Sequence, residues 1–167
     1  THLDEQIGRI LRVLKERGLD RNTIIVYAAD HGLALGSHGL LGKQSIYEHS
    51  MRCPLIFAGP GIRHGSSEAF TYLLDVFPTL CRLTGVSAPP EVEGKDLSSI
   101  WKGEKTAVRD SVYLTFAKHM RSIRKGRWKL IRYPHINYTQ LFDLQKDPYE
   151  LHNLADRKDQ AQRIRSL

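Results

Sequence analysis

The sequence is poor in cysteine, with two in 167 residues. Neither Cys53 nor Cys81 has a CxxC partner or a histidine at zinc-finger spacing, which excludes a thiolate metal knuckle and leaves buried free thiols as the expectation. No run of eighteen or more apolar residues is present, so no segment has the length and hydropathy of a membrane-spanning helix. Internal repeats and low-complexity tracts are also lacking, which excludes solenoids and tethering tails. Nor does the chain open on methionine: Thr1 stands directly before a helical pattern, so the sequence reads as a truncation whose export or compartment signals cannot be seen.

What is present suits one globular domain or a large piece of one: 41% hydrophobic and 26% charged residues. The formal charge is +7, from 25 Lys+Arg against 18 Asp+Glu. That balance favours an anionic partner. The basic residues are spread over helix faces and the stretch 118–132 and form no dense stripe, so nucleic acid is not expected.

Leu3, Ile7, Ile10, Leu11 and Leu14 fall on one helical face, and Gly18 suits the left-handed stop after it. A turn at Asp20-Arg21-Asn22 follows, then the β-branched, apolar run Thr23 to Ala29. Such a run predicts a strand buried on both faces, as in a parallel sheet covered by helices, and hence a doubly wound α/β architecture. The strand ends at Asp30-His31-Gly32, and open α/β sheets bind ligands at the carboxyl ends of their strands. Four glycines (Gly32, Gly36, Gly39, Gly42) crowd the loop that runs to Lys43 and let its backbone pass close to a ligand.

Pro54 to Ala58 predicts a second buried strand, residues 72–83 a helix interrupted by Pro78, and residues 97–101 a short helix. From Asp110 the pattern shifts to short strands: 112–116, 122–124, 128–133 and 141–144, with Lys125-Gly126-Arg127 as a hairpin turn. A boundary near 103–110 therefore separates an α/β part from a smaller antiparallel part, with a terminal helix after Asp156.

The ordered series Asp30-His31-Gly32, Leu35 to Gly39, Gly42-Lys43, Tyr47-Glu48, Arg52 to Ile56, Asp75 to Leu80, Arg127 to Ile131, and Leu141-Phe142-Asp143-Leu144 through Asp147-Pro148 to Asn153-Leu154 resembles the second half of a type I sulfatase, of the alkaline-phosphatase superfamily. The resemblance implies a mixed-sheet α/β sandwich, its C-terminal portion here covering residues 1–106, followed by a small antiparallel β subdomain over 107–167. It implies that Asp30 and His31 bind a divalent metal, calcium first with Mn2+ or Mg2+ as alternatives, and that Lys43 contacts the sulfate group in catalysis. His38, in the same loop, is expected as a substrate contact. Glu48 and Arg52 are expected to hold the loop together, and His119, Arg121 and Arg124 to form a solvated basic strand edge.

The residue types suit that chemistry. A cation and a fixed ammonium stabilise charge that redistributes over sulfate oxygens. Asp30 offers the hard oxygen calcium prefers, whereas an imidazole at His31 suits transition metals better. Family members carry a Cys- or Ser-x-Pro-x-Arg motif whose first residue becomes formylglycine, the nucleophile. Neither Cys53-Pro54 nor Cys81-Arg82-Leu83 matches it, so formylglycine and an acidic pair are expected in an N-terminal portion outside these residues. On this reading the isolated chain is inactive and binds metal weakly. The expected substrate is a sulfated small molecule or sulfated carbohydrate, and the parent enzyme is compatible with periplasmic, secreted or lysosome-like export. A phosphonate or phosphodiester hydrolase of the same superfamily, and a noncatalytic remnant that binds through its basic surface, are the alternatives.

Overall fold

A computed structural model describes all of residues 1–167. Helix α1 spans His2–Glu16, with the Thr1 hydroxyl accepting the Asp4 N–H and with Asp4 and Glu5 in the first turn. A carboxylate there meets the positive end of the helix dipole, and Lys15 meets the negative end. Gly18 adopts the expected left-handed φ of 64°. No residue of α1 is buried, and Leu3, Ile10, Leu11 and Val13 all face solvent. The amphipathic stripe is real, but nothing within these residues covers it.

Strand β1, Ile25–Ala28, pairs with β2, Leu55–Ala58, in a two-stranded antiparallel ribbon with Ile25 opposite Ala58 and Ala28 opposite Leu55. This corrects the expectation of a parallel strand buried on both faces: the only strand bonded to β1 runs the other way, and Tyr27 and Ile56 are exposed. The apolar run encodes burial that a two-stranded ribbon cannot supply alone.

Helix α3, Val76–Thr84, accommodates Pro78 because it lies in the first turn, where the N–H has no intrahelical acceptor. Short helices α2, Glu48–Met51, and α4, Ser98–Trp101, flank this region. Four strands then form an antiparallel meander: β3 Ser111–Phe116, β4 Met120–Lys125, β5 Trp128–Tyr133 and β6 Tyr138–Asp143. Gly126 sits at the β4–β5 turn with φ 55°. Helix α5, Ala161–Ser166, closes the chain.

The core lies between this sheet and the segment leading into α2. Tyr47, Ile131 and Phe142 pack together, with Tyr133 and Leu144 against them. Two motifs of the sequence become structural devices. Asp75 is fully buried and receives both guanidinium nitrogens of Arg109, at 2.5 and 2.7 Å, plus the N–H groups of Tyr72 (2.7 Å) and Lys95 (2.8 Å). This bidentate pair ties the start of α3 to the entry of β3. Asn153 Oδ1 accepts the N–H of Leu141 and of Ala155, both at 2.9 Å, so the segment after β6 is laced back onto it.

Candidate active site

The chain leaves β1 at Ala28 and turns sharply at Asp30-His31-Gly32. Gly32 donates its N–H to Ser50 O at 2.8 Å, and a Cβ placed on Gly32 would lie 2.1 Å from His49 O. The glycine is therefore demanded by backbone packed against α2. That contact fixes His31, the next residue back, relative to α2.

His31 places Nδ1 3.1 Å from the carbonyl of Gly32, and a carbonyl can only accept, so Nδ1 carries the proton. Nε2 lies 3.2 Å from Asp30 Oδ1 and in hydrogen-bond contact with Lys43 Nζ. Thus three of the expected site residues, Asp30, His31 and Lys43, converge. One offers a carboxylate oxygen, one an imidazole nitrogen and one a cation. Asp30 and Lys43 are exposed and His31 half-buried, so the cluster is open to a ligand.

This donor set fits a share of a divalent metal site. Asp30 supplies oxygen and His31 Nε2 supplies nitrogen, its other nitrogen held by a backbone carbonyl as metal-bound imidazoles usually are. No group of three His, Cys, Asp or Glu side chains stands together in the chain, so this cluster could offer two such ligands.

His38 is placed differently. It occupies the tip of the glycine-rich loop, its ring stacked on Tyr47 with centroids 4.0 Å apart and planes 3° from parallel. Its Nε2 lies 3.0 Å from Tyr149 O. The His49 ring is also close, at 5.6 Å between centroids, and the other three site residues take no part in these contacts.

Beneath the loop sits an ionic network that the sequence reading identified only in part. Glu48 Oε1 accepts from Lys129 Nζ at 2.9 Å and Glu48 Oε2 from Arg124 at 2.5 Å. Lys129 Nζ is also 2.8 Å from Glu150 Oε1, and Glu150 Oε2 accepts the Glu48 N–H at 2.6 Å. Lys129 and Glu150 are both buried. Burial pushes the Glu150 carboxyl above its ordinary range; Lys129 and the Glu48 N–H pull it back in part, and the Glu48 charge pushes it up. Glu48, foreseen with Arg52 as holding the loop, instead ties α2 to the sheet, and Arg52 is exposed. Arg124 is corrected: it is no solvated edge residue but half-buried, paired to Glu48 and set over the Phe70 ring. Arg121 bonds the carbonyls of Ala117 and Met120 and so braces the β3–β4 turn, while His119 lies 5.5 Å from His135 by ring centroid. Only the pairing Tyr47-Glu48 hinted at this network, since strand alternation does not reveal which Lys or Arg points inward.

Neither cysteine has the surroundings of a nucleophile. Burial, and then the Asp30 charge, push the Cys53 thiol up, and Cys81 is buried in α3. Ser45 Oγ is 3.1 Å from His49 Nε2, a distance suited to a nucleophile and its base. But Ser45 is buried, and its hydroxyl is also bonded to Ser50 at 2.9 Å. Burial, with His38 and Lys129 nearby, holds His49 below its ordinary pKa and so favours the neutral ring. A cleft of about 710 Å³ opens beside the site between β2, residues 62–73 and β3–β4, with Asp30, Arg52, Arg63, His64 and Arg124 among its walls.

Comparison with known proteins identifies the family. The family described as N-sulphoglucosamine sulphohydrolase, C-terminal, matches residues 36–167, a stretch that starts after Asp30 and His31. Choline-sulfatase of Rhizobium meliloti is 38% identical over 93% of this chain and 31% of its own length. N-acetylglucosamine-6-O-sulfatase of Bacteroides thetaiotaomicron is 34% identical over 99% of this chain and 32% of its own. A structure solved with its substrate D-glucosamine-2-N,6-O-disulfate superposes with a TM-score of 0.89 at 33% identity, covering 98% of this chain and 36% of that one. Phosphonate monoester hydrolase of Agrobacterium radiobacter superposes with a TM-score of 0.84 at 30% identity, over 98% of this chain and 37% of that one. The chain spans about a third of the length of these relatives. On the match over residues 36–167 and these identities, the chain belongs to the sulfatase family and corresponds to its C-terminal portion.

Proposed function

We propose that the protein is a sulfuric ester hydrolase acting on a sulfated carbohydrate, and that this chain supplies two metal ligands, Asp30 and His31, and the sulfate-binding cation Lys43. The observation that carries the reading is the meeting of His31 Nε2 with both the Asp30 carboxylate and the Lys43 ammonium at the open end of β1. Likeness to sulfatases, one of them bound to a disulfated glucosamine, supports the substrate class. The division of labour follows residues 1–106, which carry the site, and 107–167, which brace it through Lys129 and Glu150.

In this reading Lys43 binds a nonbridging sulfate oxygen and holds the group facing the nucleophile. As the ester S–O bond breaks, the same ammonium stays against the oxygens among which charge is redistributed. A divalent cation held by Asp30 and His31, calcium favoured by the carboxylate oxygen or manganese by the imidazole nitrogen, would supply Lewis acidity toward the sulfate group. The Gly32 carbonyl holds Nδ1, so Nε2 is the nitrogen that would turn to a metal, and the Lys43 contact to it would then give way. Glu48, Lys129 and Arg124 tie α2, which backs Gly32, to the antiparallel sheet. The nucleophile, a formylglycine in this family, is assigned to none of these residues.

The Asp-His pair and the likeness to two phosphonate monoester hydrolases favour one second reading, hydrolysis of a phosphonate or phosphate ester. Steady-state assays of the intact protein on a sulfated glucosamine and on a phosphonate monoester separate the two. The proposal expects the larger kcat/KM on the sulfate ester; a larger value on the phosphonate would overturn it.

A further inference from the structure

The loop that carries Lys43 is built as a closed excursion. Its base is pinned where Ala34 N–H meets Gly42 O at 3.0 Å, and a second rung joins Gly36 N–H to Leu40 O at 2.8 Å. Lys43 emerges directly after the base, and His38 stands at the tip. The turn needs left-handed backbone at Leu35 (φ 48°), Gly36 (102°), His38 (55°) and Gly39 (70°). Left-handed backbone brings a Cβ close to the following carbonyl oxygen, a crowding that glycine escapes. His38 carries a Cβ there, and its side chain is held at both edge and face. Because Tyr149 O can only accept, His38 Nε2 carries a proton and donates it there across 111 positions of sequence. The ring's face meanwhile lies flat on Tyr47, whose hydroxyl donates to Gln140 at 2.9 Å and whose ring meets Phe142 of the core.

The receiving end is equally fixed. Asp147 accepts the N–H groups of Leu151 (3.1 Å) and His152 (2.8 Å), and Glu150, left-handed at φ 57°, is anchored to Glu48 and Lys129. We propose that His38 is a positioning residue: by clasping the tip of the 34–42 loop to the 147–151 segment it sets where Lys43 presents its ammonium. This assigns the ring to the loop's anchorage instead of to substrate, and it rests on the reading of Lys43 as the sulfate-binding cation. The C-terminal segment thereby becomes part of the site's geometry although it touches no substrate.

Three variants of the intact protein test the clasp: His38→Gln, which keeps a donor near the position of Nε2; His38→Asn, which suits left-handed backbone but is too short; and His38→Ala. Amide hydrogen exchange, which needs no turnover, is expected to quicken at Gly36 and Leu40 by roughly tenfold in the Ala and Asn variants and to be largely restored in Gln. Unchanged exchange in Ala, or protection by Asn but not by Gln, overturns the proposal. In kinetics on a sulfated glucosamine, the Ala variant is expected to lower kcat, and its effect to vanish on a Lys43→Ala background. Additive losses would mean that His38 acts independently of Lys43 and would also overturn it. If the unmodified protein releases no sulfate, the functional reading fails while the exchange result still decides the clasp.

Discussion

Lys129 Nζ lies 2.9 Å from Glu48 Oε1, a buried cation from the middle of the antiparallel sheet set against the first residue of the helix below the glycine-rich loop. With Glu150 on its other side, Lys129 is the one group that keeps two carboxylates together out of water. Removing it leaves them facing each other with Arg124 on one alone. The Lys129→Met variant is expected to lose about 3–5 kcal/mol of stability, the usual cost of orphaning a buried ion. Urea unfolding followed by circular dichroism measures it, and a loss below about 1 kcal/mol, the level of a surface pair, contradicts the assignment.

The Asp75–Arg109 pair predicts a pH dependence. Burial alone would raise the Asp75 carboxyl, but the Arg109 hydrogen bonds, the Tyr72 and Lys95 N–H groups and the Arg109 charge outweigh it and hold the pKa below its ordinary 3.8. A folded pKa below the unfolded one means stabilisation that is present above about pH 3.8 and lost as pH falls through the folded value. Asp75→Asn is expected to start about 3–5 kcal/mol less stable near neutrality, with Arg109 left unpaired. It should also lack this acid-side loss. Unfolding midpoints compared at neutral and strongly acidic pH decide it; parallel curves would contradict the pairing.

Gly32 is held by contact. Its added Cβ would strike the carbonyl of His49 at 2.1 Å, and both partners there are backbone, which cannot rotate away. Gly32→Ala should therefore cost about 1–3 kcal/mol, as overpacking does. It should also displace His31 and weaken metal affinity. Wild-type thermal stability in this variant would show that the turn can open at no cost.

His31 makes metal preference testable. Exchanging it for asparagine replaces an imidazole nitrogen by an amide oxygen, so His31→Asn is expected to shift the ratio of manganese to calcium affinity toward calcium. Titration calorimetry of the intact protein with each ion reads the ratio, and an unchanged ratio removes His31 from the metal's shell.

Much of this was legible in the sequence, and the gaps have physical reasons. The β5 strand, the hairpin at Gly126 and the α1 stripe follow from periodicity and turn chemistry, which are local. The convergence of Asp30, His31 and Lys43 was legible because they share one strand end and one loop. Strand direction was not: an apolar run states that β1 wants burial, not which way its neighbour runs. Nor could alternation tell that Arg124 turns inward to Glu48, or that the glycine after His31 serves α2, because both depend on residues far away or on backbone that has no letter in the sequence.

The account turns on Lys43. The decisive measurement is sulfate release from a sulfated glucosamine by the intact protein and by its Lys43→Ala variant, each supplied with calcium or manganese. The prediction is metal-dependent release by the unmodified protein and a loss of about 10²–10³ in kcat for the variant, the usual cost of removing one fixed charge-stabilising donor. Equal rates in the two proteins would contradict the role given to Lys43 and to the loop that presents it.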